Sequence, residues 1–152
     1  MRITLSALTL IITGFFFMTT ASAQEGWIIK NSKHSVQETA DKLVAIIDRA
    51  PPTLFARVDH AAGAADAGLE LPESTMVMFG APAIGTPIMQ QNMKAGLDLP
   101  IRVLIWDDNG QTKIGYLDPQ ALKARYEIAG AEKAFEGMAG ALKKFTDGAA
   151  GE

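Results

Sequence analysis

Apolar positions change their spacing along the chain in a way that marks out ten strand and helix segments. Trp27-Ile28-Ile29-Lys30 is a short apolar run and reads as a first strand. Ser35-Val36-Gln37-Glu38 then forms a capping box, in which the Ser hydroxyl and the Glu carboxylate satisfy free amides at a helix start. Val36, Ala40, Leu43 and Ile47 follow three or four residues apart, one buried helical stripe that must end before Pro51-Pro52. From Leu54 to Val58 the period falls to two, with Leu54, Ala56 and Val58 on one face and Phe55 and Arg57 on the other. Ala61–Ala67 is a small Ala-rich helical piece closed by Gly68, and Thr75–Phe79 is apolar without a break, as in a strand covered on both faces.

A loop is expected over Gly80–Gly85, with Thr86-Pro87 as a cap and first helical position and the helix itself from Ile88 to about Met93. Leu99–Trp106 alternates again. Asp107-Asp108-Asn109-Gly110 is a strong hairpin signal that returns the chain as Thr112–Leu117. Asp118-Pro119 opens a helix through Tyr126. Ala131–Phe145 puts Ala131, Phe135, Met138, Leu142 and Phe145 on one face despite Gly137 and Gly140, with a frayed tail after Thr146. Interleaved strands and helices with one clear hairpin predict an α/β (α+β) two-layer sandwich: a mixed β-sheet of about five strands with helices packed on it.

The start of the chain changes how the rest is counted. Arg2, an apolar stretch from Ile3 to Met18 and small residues at Ala21 and Ala23 have the layout of a secretory signal peptide cleaved after Ala23. Gln24 rather than Cys follows the cut, so a lipoprotein anchor is excluded. The competing reading is an uncleaved anchor, since Ile3–Ala23 carries no charge. Three segments result: the leader 1–23, a domain over 24–130, and a C-terminal amphipathic helix and tail over 131–152. The expected location is periplasmic or secreted, without stable membrane insertion after cleavage.

Charge and composition then remove classes of function. The 152 residues hold 14 Lys+Arg against 17 Asp+Glu, and without Arg2 the balance is 13 against 17, a formal charge of −4. A mildly acidic chain without a basic block is not built to neutralise nucleic-acid phosphates. With no cysteine there are no disulfides, thiolate chemistry or Cys-ligated metals. No GxSxG elbow supports a serine hydrolase. The two histidines, His34 and His60, lack HxH or HxxxH spacing, and Asp107–Gly110 lacks the spaced ligands of an EF-hand. Met76/Met78 and Met89/Met93 make thioether pairs on paper, but in such apolar segments methionine is ordinary packing. No metal and no cofactor is expected.

What remains is the stretch from Gly80 to Pro87. Amides near Thr86 at a helix start are able to receive an anion, with Arg57 and Arg102 as the cations to test. The stretch matches neither a P-loop nor GxGxxG.

Several segments together resemble the domain of unknown function 302 family: HSVQETADKL from His34, VDHAAGAADAGLEL from Val58, FGAPAIGTPIM from Phe79, LDLPIRVLIWDD from Leu97 and YLDPQALKARY from Tyr116. The match covers about Ile28 to Ile128 and leaves the Ala131–Phe145 helix outside it. The resemblance implies a compact α/β domain, homodimeric, with no assigned chemistry; it also implies Asn where Ala81 stands and often His near Tyr126. The leading expectation is therefore an exported, non-enzymatic domain that binds a small molecule or anion through Gly85, Thr86, Arg102 and His60. Two alternatives stand beside it: an enzyme using His60 with Asp59 or Asp98, and an interaction module that docks through its C-terminal helix.

Overall fold

The computed structural model describes residues 26–152. Five strands, β1 (Trp27–Asn31), β2 (Thr53–Asp59), β3 (Ser74–Gly80), β4 (Ile101–Asp108) and β5 (Gln111–Leu117), form one sheet in the order β1-β5-β4-β3-β2. Every pair is antiparallel, which corrects the mixed sheet expected above. Each connection between neighbouring strands leaves and returns at the same end of the sheet, so no interposed helix has to carry the chain back to its starting edge. The long crossing is α1 (Val36–Ile47), which takes the chain from one edge strand, β1, to the other, β2.

The capping box forms as expected: Glu38 N donates to Ser35 Oγ at 3.2 Å and Ser35 N donates to Glu38 Oε2 at 3.2 Å. Hydrogen bonding to Ser35 holds the Glu38 carboxyl below its ordinary value. Asn109 and Gly110 both have positive φ, 54° and 89°, as the two-residue primed hairpin turn between β4 and β5 requires.

The core lies between one face of the sheet and the helices α1 and α5 (Glu132–Ala150). Val77, Phe79, Val103, Ile105 and Ile114 from the strands meet Val36, Leu43 and Ile47 from α1 and Phe135 and Leu142 from α5, all buried. Helix α5 runs on to Ala150 instead of fraying after Thr146, because its last turn is tied to the start of the domain. Lys30 reaches Asp147 and Thr146, Lys33 N donates to the Ala150 carbonyl at 3.0 Å, and Lys33 Nζ donates to the Gly151 carbonyl at 2.8 Å. Phe135, Leu142 and Phe145 are therefore interior, with the Phe145 ring 5.9 Å from that of Phe79. This overturns the reading of α5 as a free docking helix: its apolar face is already used inside the domain.

Two strand expectations also change. Thr75–Phe79 is covered on one face only, since Thr75, Val77 and Phe79 are buried while Met76 and Met78 are half-exposed on the far side. In β2 a bulge at Phe55 breaks the simple alternation: Leu54 pairs with Phe79 and Arg57 with Val77, whereas Ala56 and Val58 pair with Met78 and Met76. Leu54 and Arg57 thus share the helix side, and Arg57 lies over α1, donating to Asp41 at 2.5 Å and Gln37 at 2.8 Å.

Candidate functional site

The chain between β3 and β4 leaves and rejoins the sheet at one end, and α3 (Pro82–Gln91) and a short 3-10 turn (Met93–Leu97) fill that excursion. Helix α3 starts five residues earlier than expected. Pro82, not Pro87, takes the first helical position, and Ala81 is the N-cap without any side-chain hydrogen bond. Thr86-Pro87 looked like the start because Thr is a good cap and Ala is a poor one. In the fold both lie inside the helix, and Gly85 N donates to the Ala81 carbonyl at 3.0 Å. The amides that would receive an anion near Thr86 belong to helix interior instead.

Beneath α3, where it meets the sheet end and α5, lies a cavity of about 250 Å³. Phe79, Ile101 and Leu99 form its sheet side, Ile84 and Met89 come from α3, and Met138 comes from α5. Its room comes from small residues on three segments, Gly80, Ala81 and Gly85 on one side and Gly137 and Ala141 on α5. Thr86 supplies the one polar side chain of the lining, and the exposed Phe55 at the β2 bulge stands at its edge. A space walled by hydrocarbon stabilises an apolar guest and penalises a charged one.

The residues singled out from the sequence divide by position. Gly85 and Thr86 line the cavity; Arg102 and His60 do not. Arg102 donates to Asp98 at 2.7 Å. Asp98 also accepts from Arg125 at 2.7 Å and from the Tyr126 hydroxyl at 2.8 Å. Burial pushes the Asp98 carboxyl up, but the Tyr126 and Arg125 hydrogen bonds and both guanidinium charges outweigh it and hold the group below its ordinary value. The same contact raises Tyr126 and Arg125. A carboxylate with three donors and a depressed pKa is an acceptor already in use, the reverse of a poised general base.

His60 is exposed and is the first residue of α2 (His60–Asp66); its neighbour Asp59 caps that helix, accepting from Ala62 N at 2.9 Å. Both stand at the end of β2 that pairs with Thr75, whereas the cavity and Asp98 lie by the end where Thr53 pairs with Gly80. Six strand residues separate the two ends, roughly 20 Å, so His60 and Asp98 are not brought together. Lys30, Lys143 and Asp147 form a separate cluster, in which hydrogen bonds from both lysines keep the Asp147 carboxyl low.

The lining residues Leu99, Gly137, Met138 and Ala141 carried no signal in the sequence beyond apolarity and small size. The Tyr126–Asp98 bond joins two segments 28 residues apart, a pairing that spacing alone does not disclose.

A family model described as "Domain of unknown function DUF302" matches residues 28–145. The chain belongs to that family. The match extends through residue 145, so most of α5 lies within the DUF302 region and is not an appendage beyond it. A solved structure described as an uncharacterized conserved protein DUF302, from Bacillus stearothermophilus, superimposes with a TM-score of 0.66 at 16% identity. It covers 83% of this chain and 96% of its own, and establishes the shared α+β fold. Among curated relatives, a protein named fluoride-specific ion channel FluC 1, from Brucella suis biovar 1 (strain 1330), is 41% identical over 104 residues. That stretch is 68% of this DUF302 chain and 41% of the relative. A protein of the same name from Brucella abortus biovar 1 (strain 9-941) matches at 41% identity over 38% of its length. The chain thus spans about two-fifths of the curated relatives it matches. No helix among the described residues is long and apolar enough to cross a membrane.

Proposed function

We propose that this DUF302 domain binds a small, uncharged, predominantly apolar molecule in the cavity between α3, α5 and the sheet. The observation behind this is the lining, in which Thr86 is the one polar side chain around about 250 Å³ of space. The anion version of the expectation is the weaker one, because Arg102 is held by Asp98 outside the cavity and the helix start lies at Pro82. A dry, hydrocarbon-lined cavity of about 150 Å³ is large enough for benzene. A ring with short substituents, on the order of ten carbons, is the size of guest that suits this one. Thr86 is placed to accept or donate one hydrogen bond that orients it.

The signal-peptide reading falls on residues 1–23, outside the described residues. We place the domain in the periplasm or outside the cell on the leader's layout, and intact-mass measurement of protein recovered from the medium or periplasm tests it. A mature N-terminus other than Gln24 counts against that address. The fluoride channels' name is a property of those longer proteins, and a cavity whose one polar side chain is Thr86 does not replace the hydration shell of a small, strongly hydrated anion.

Thermal-shift measurement on the chain from Gln24, against substituted aromatics, short terpenoid-like hydrocarbons, fluoride and phosphate, tests the reading directly. A bound guest at a hundred times its Kd adds about 2.7 kcal/mol, roughly 10 °C in a domain of this size. The Ala141→Leu variant, which fills the cavity, should fold and lose the response. A response to the anions alone, or an apolar response unchanged in Ala141→Leu, sinks the proposal.

A further inference from the structure

Two methionines line the cavity, and they differ in freedom of movement. Met138, on α5, is 2% exposed and enclosed by the core. Met89, in the last turn of α3, is half-buried, and its thioether lies on Gly96 of the 3-10 turn. A Cβ at Gly96 would stand 3.1 Å from Met89 Cε and 3.7 Å from Sδ, so the missing side chain makes room for the thioether there. The other bulky walls are held from behind or from across the space. Phe79 is fully buried against Phe145, Ile84 closes on Gly137, and Leu99 Cδ1 stands 3.9 Å from the Cβ position of Gly85. Rings and branched chains in such contacts keep their rotamers, whereas an unbranched thioether with three rotatable bonds changes its own at little cost. Gly96 is half-buried too, so the Met89 thioether has solvent beside it to move into.

We infer that Met89 grades the guests of this cavity by size, and that those guests are aromatic alcohols with one unbranched alkyl arm. The inference rests on the apolar-guest reading above and adds the class of guest and the side chain that selects it. Pro82, Gly85, Thr86 and Met89 recur at helical spacing, so one stripe of α3 runs along the cavity for about 10 Å. Thr86 stands one turn before Met89 on that stripe, with about 5–6 Å between Cβ atoms. A hydroxyl bonded to Thr86 therefore leaves the rest of the guest within reach of the thioether. A ring of the size proposed fills the fixed part of the space. An arm on that ring goes further only by turning the Met89 thioether aside, and the slot so vacated is as narrow as the chain that filled it. Straight arms fit such a slot and branched ones do not.

Isothermal titration calorimetry of the chain from Gln24 with para-alkylphenols, from methyl to octyl, reads the grading. In the parent, affinity should rise about fourfold per methylene up to a limiting arm length and then fall. Met89→Ala removes Cγ, Sδ and Cε from the wall and should raise that limit by about three methylenes. Met89→Ile keeps the volume but not the mobility. It should bind para-cresol within about threefold of the parent, and the longest arm the parent accepts about tenfold more weakly. In the parent, para-tert-butylphenol should bind about tenfold more weakly than its straight isomer. NMR of protein labelled with carbon-13 at its methionine methyls, five in the chain from Gln24, reads the motion itself. The Met89 signal, identified by its loss in Met89→Ile, should shift further with each longer arm, while that of Met138 responds to every guest alike. A limit that Met89→Ala leaves in place, a Met89→Ile variant indistinguishable from the parent, or a Met89 signal unmoved by long arms overturns the inference and leaves the apolar-guest reading standing. A parent that binds none of the phenols overturns both.

Discussion

Replacing Phe145 by Ala asks whether the last helix is structural fabric or an accessory, and its expected size follows from where the ring sits. Phe145 is 6% exposed and its ring centre is 5.9 Å from that of Phe79, tilted by 43°. Truncation removes a buried aromatic and opens a void against Phe79, which is itself fully buried and flanked by Val77 and Val103 in the sheet. Phe→Ala at such sites costs about 3–5 kcal/mol. Phe145 sits near the solvent edge of the layer, which permits partial collapse, so the expectation is about 3 kcal/mol. That is a large share of the 5–15 kcal/mol typical of a domain's total stability. Phe145→Leu keeps most of the hydrocarbon and loses mainly the ring–ring contact, about 1 kcal/mol.

Urea unfolding followed by far-UV circular dichroism, at one fixed protein concentration, measures both. With a slope of about 2 kcal/mol/M for a chain of this length, Phe145→Ala should lower the midpoint by about 1.5 M and Phe145→Leu by about 0.5 M, with slopes unchanged. Lys144→Ala, one residue away and exposed, should leave the midpoint where it was. A loss below about 1 kcal/mol for Phe145→Ala refutes the packing of α5 described above, and with it the α5 wall of the cavity.

Ala81→Asn should stabilise the domain by about 1 kcal/mol, because Ala81 caps α3 with extended backbone but no side-chain acceptor; a calorimetric melting point that does not rise counts against that helix start. Thr75→Val should be neutral or stabilising by about 1 kcal/mol, since Thr75 Oγ1 is buried without a hydrogen-bond partner among the described residues; a clear loss in urea would show that the hydroxyl is satisfied. Asp98→Asn should lower stability at pH 7 by roughly 1–2 kcal/mol, a figure reduced for the half-exposed arginines. The folded carboxyl lies below its ordinary value, so its contribution is full above the unfolded pKa of about 3.9 and fades as pH falls through the lower folded value. Parent and variant stabilities should therefore converge on acidification, and a gap that persists to the lowest accessible pH refutes the assignment.

Elements whose boundaries are enforced locally were legible along the chain. The Ser35–Glu38 box and Pro51-Pro52 bracket α1 because capping and proline geometry act within a few residues, and Asn109-Gly110 dictates its hairpin for the same reason. The misplacements have one physical source: they depend on partners distant in sequence. The bulge at Phe55 exists through pairing with β3, and no feature of Leu54–Val58 announces it. The order of strands makes the sheet antiparallel throughout, whereas interleaved helices and strands are equally compatible with a mixed one. Helix α3 begins at a cap that has no capping side chain, so the stronger local signal at Thr86-Pro87 pointed to a start inside the helix. Tail residues Ala149 and Ala150 stay helical because of Lys30 and Lys33, more than a hundred residues away.

The candidate site was half legible, and the missing half has a physical reason. Polar sites betray themselves by residues that are costly to bury, but an apolar cavity is made by residues that are small. Gly137 shows this best. In the middle of a 19-residue helix a glycine sacrifices about 1 kcal/mol against alanine, and from sequence it reads as a flaw in the stripe. In the fold it lines the cavity, and a Cβ there would stand 3.1 Å from Ile84 Cδ1, the side chain that α3 extends toward α5. Gly140, three residues on, has nothing within 4 Å of where its Cβ would be and does not line the space, so the two glycines are not equivalent. Gly137 lets the Ile84 side chain of α3 approach α5 more closely than a Cβ would allow, beside the cavity, at a cost in helix stability. Under the proposed function, the close approach of Ile84 to Gly137 sets one side of the space that receives the guest.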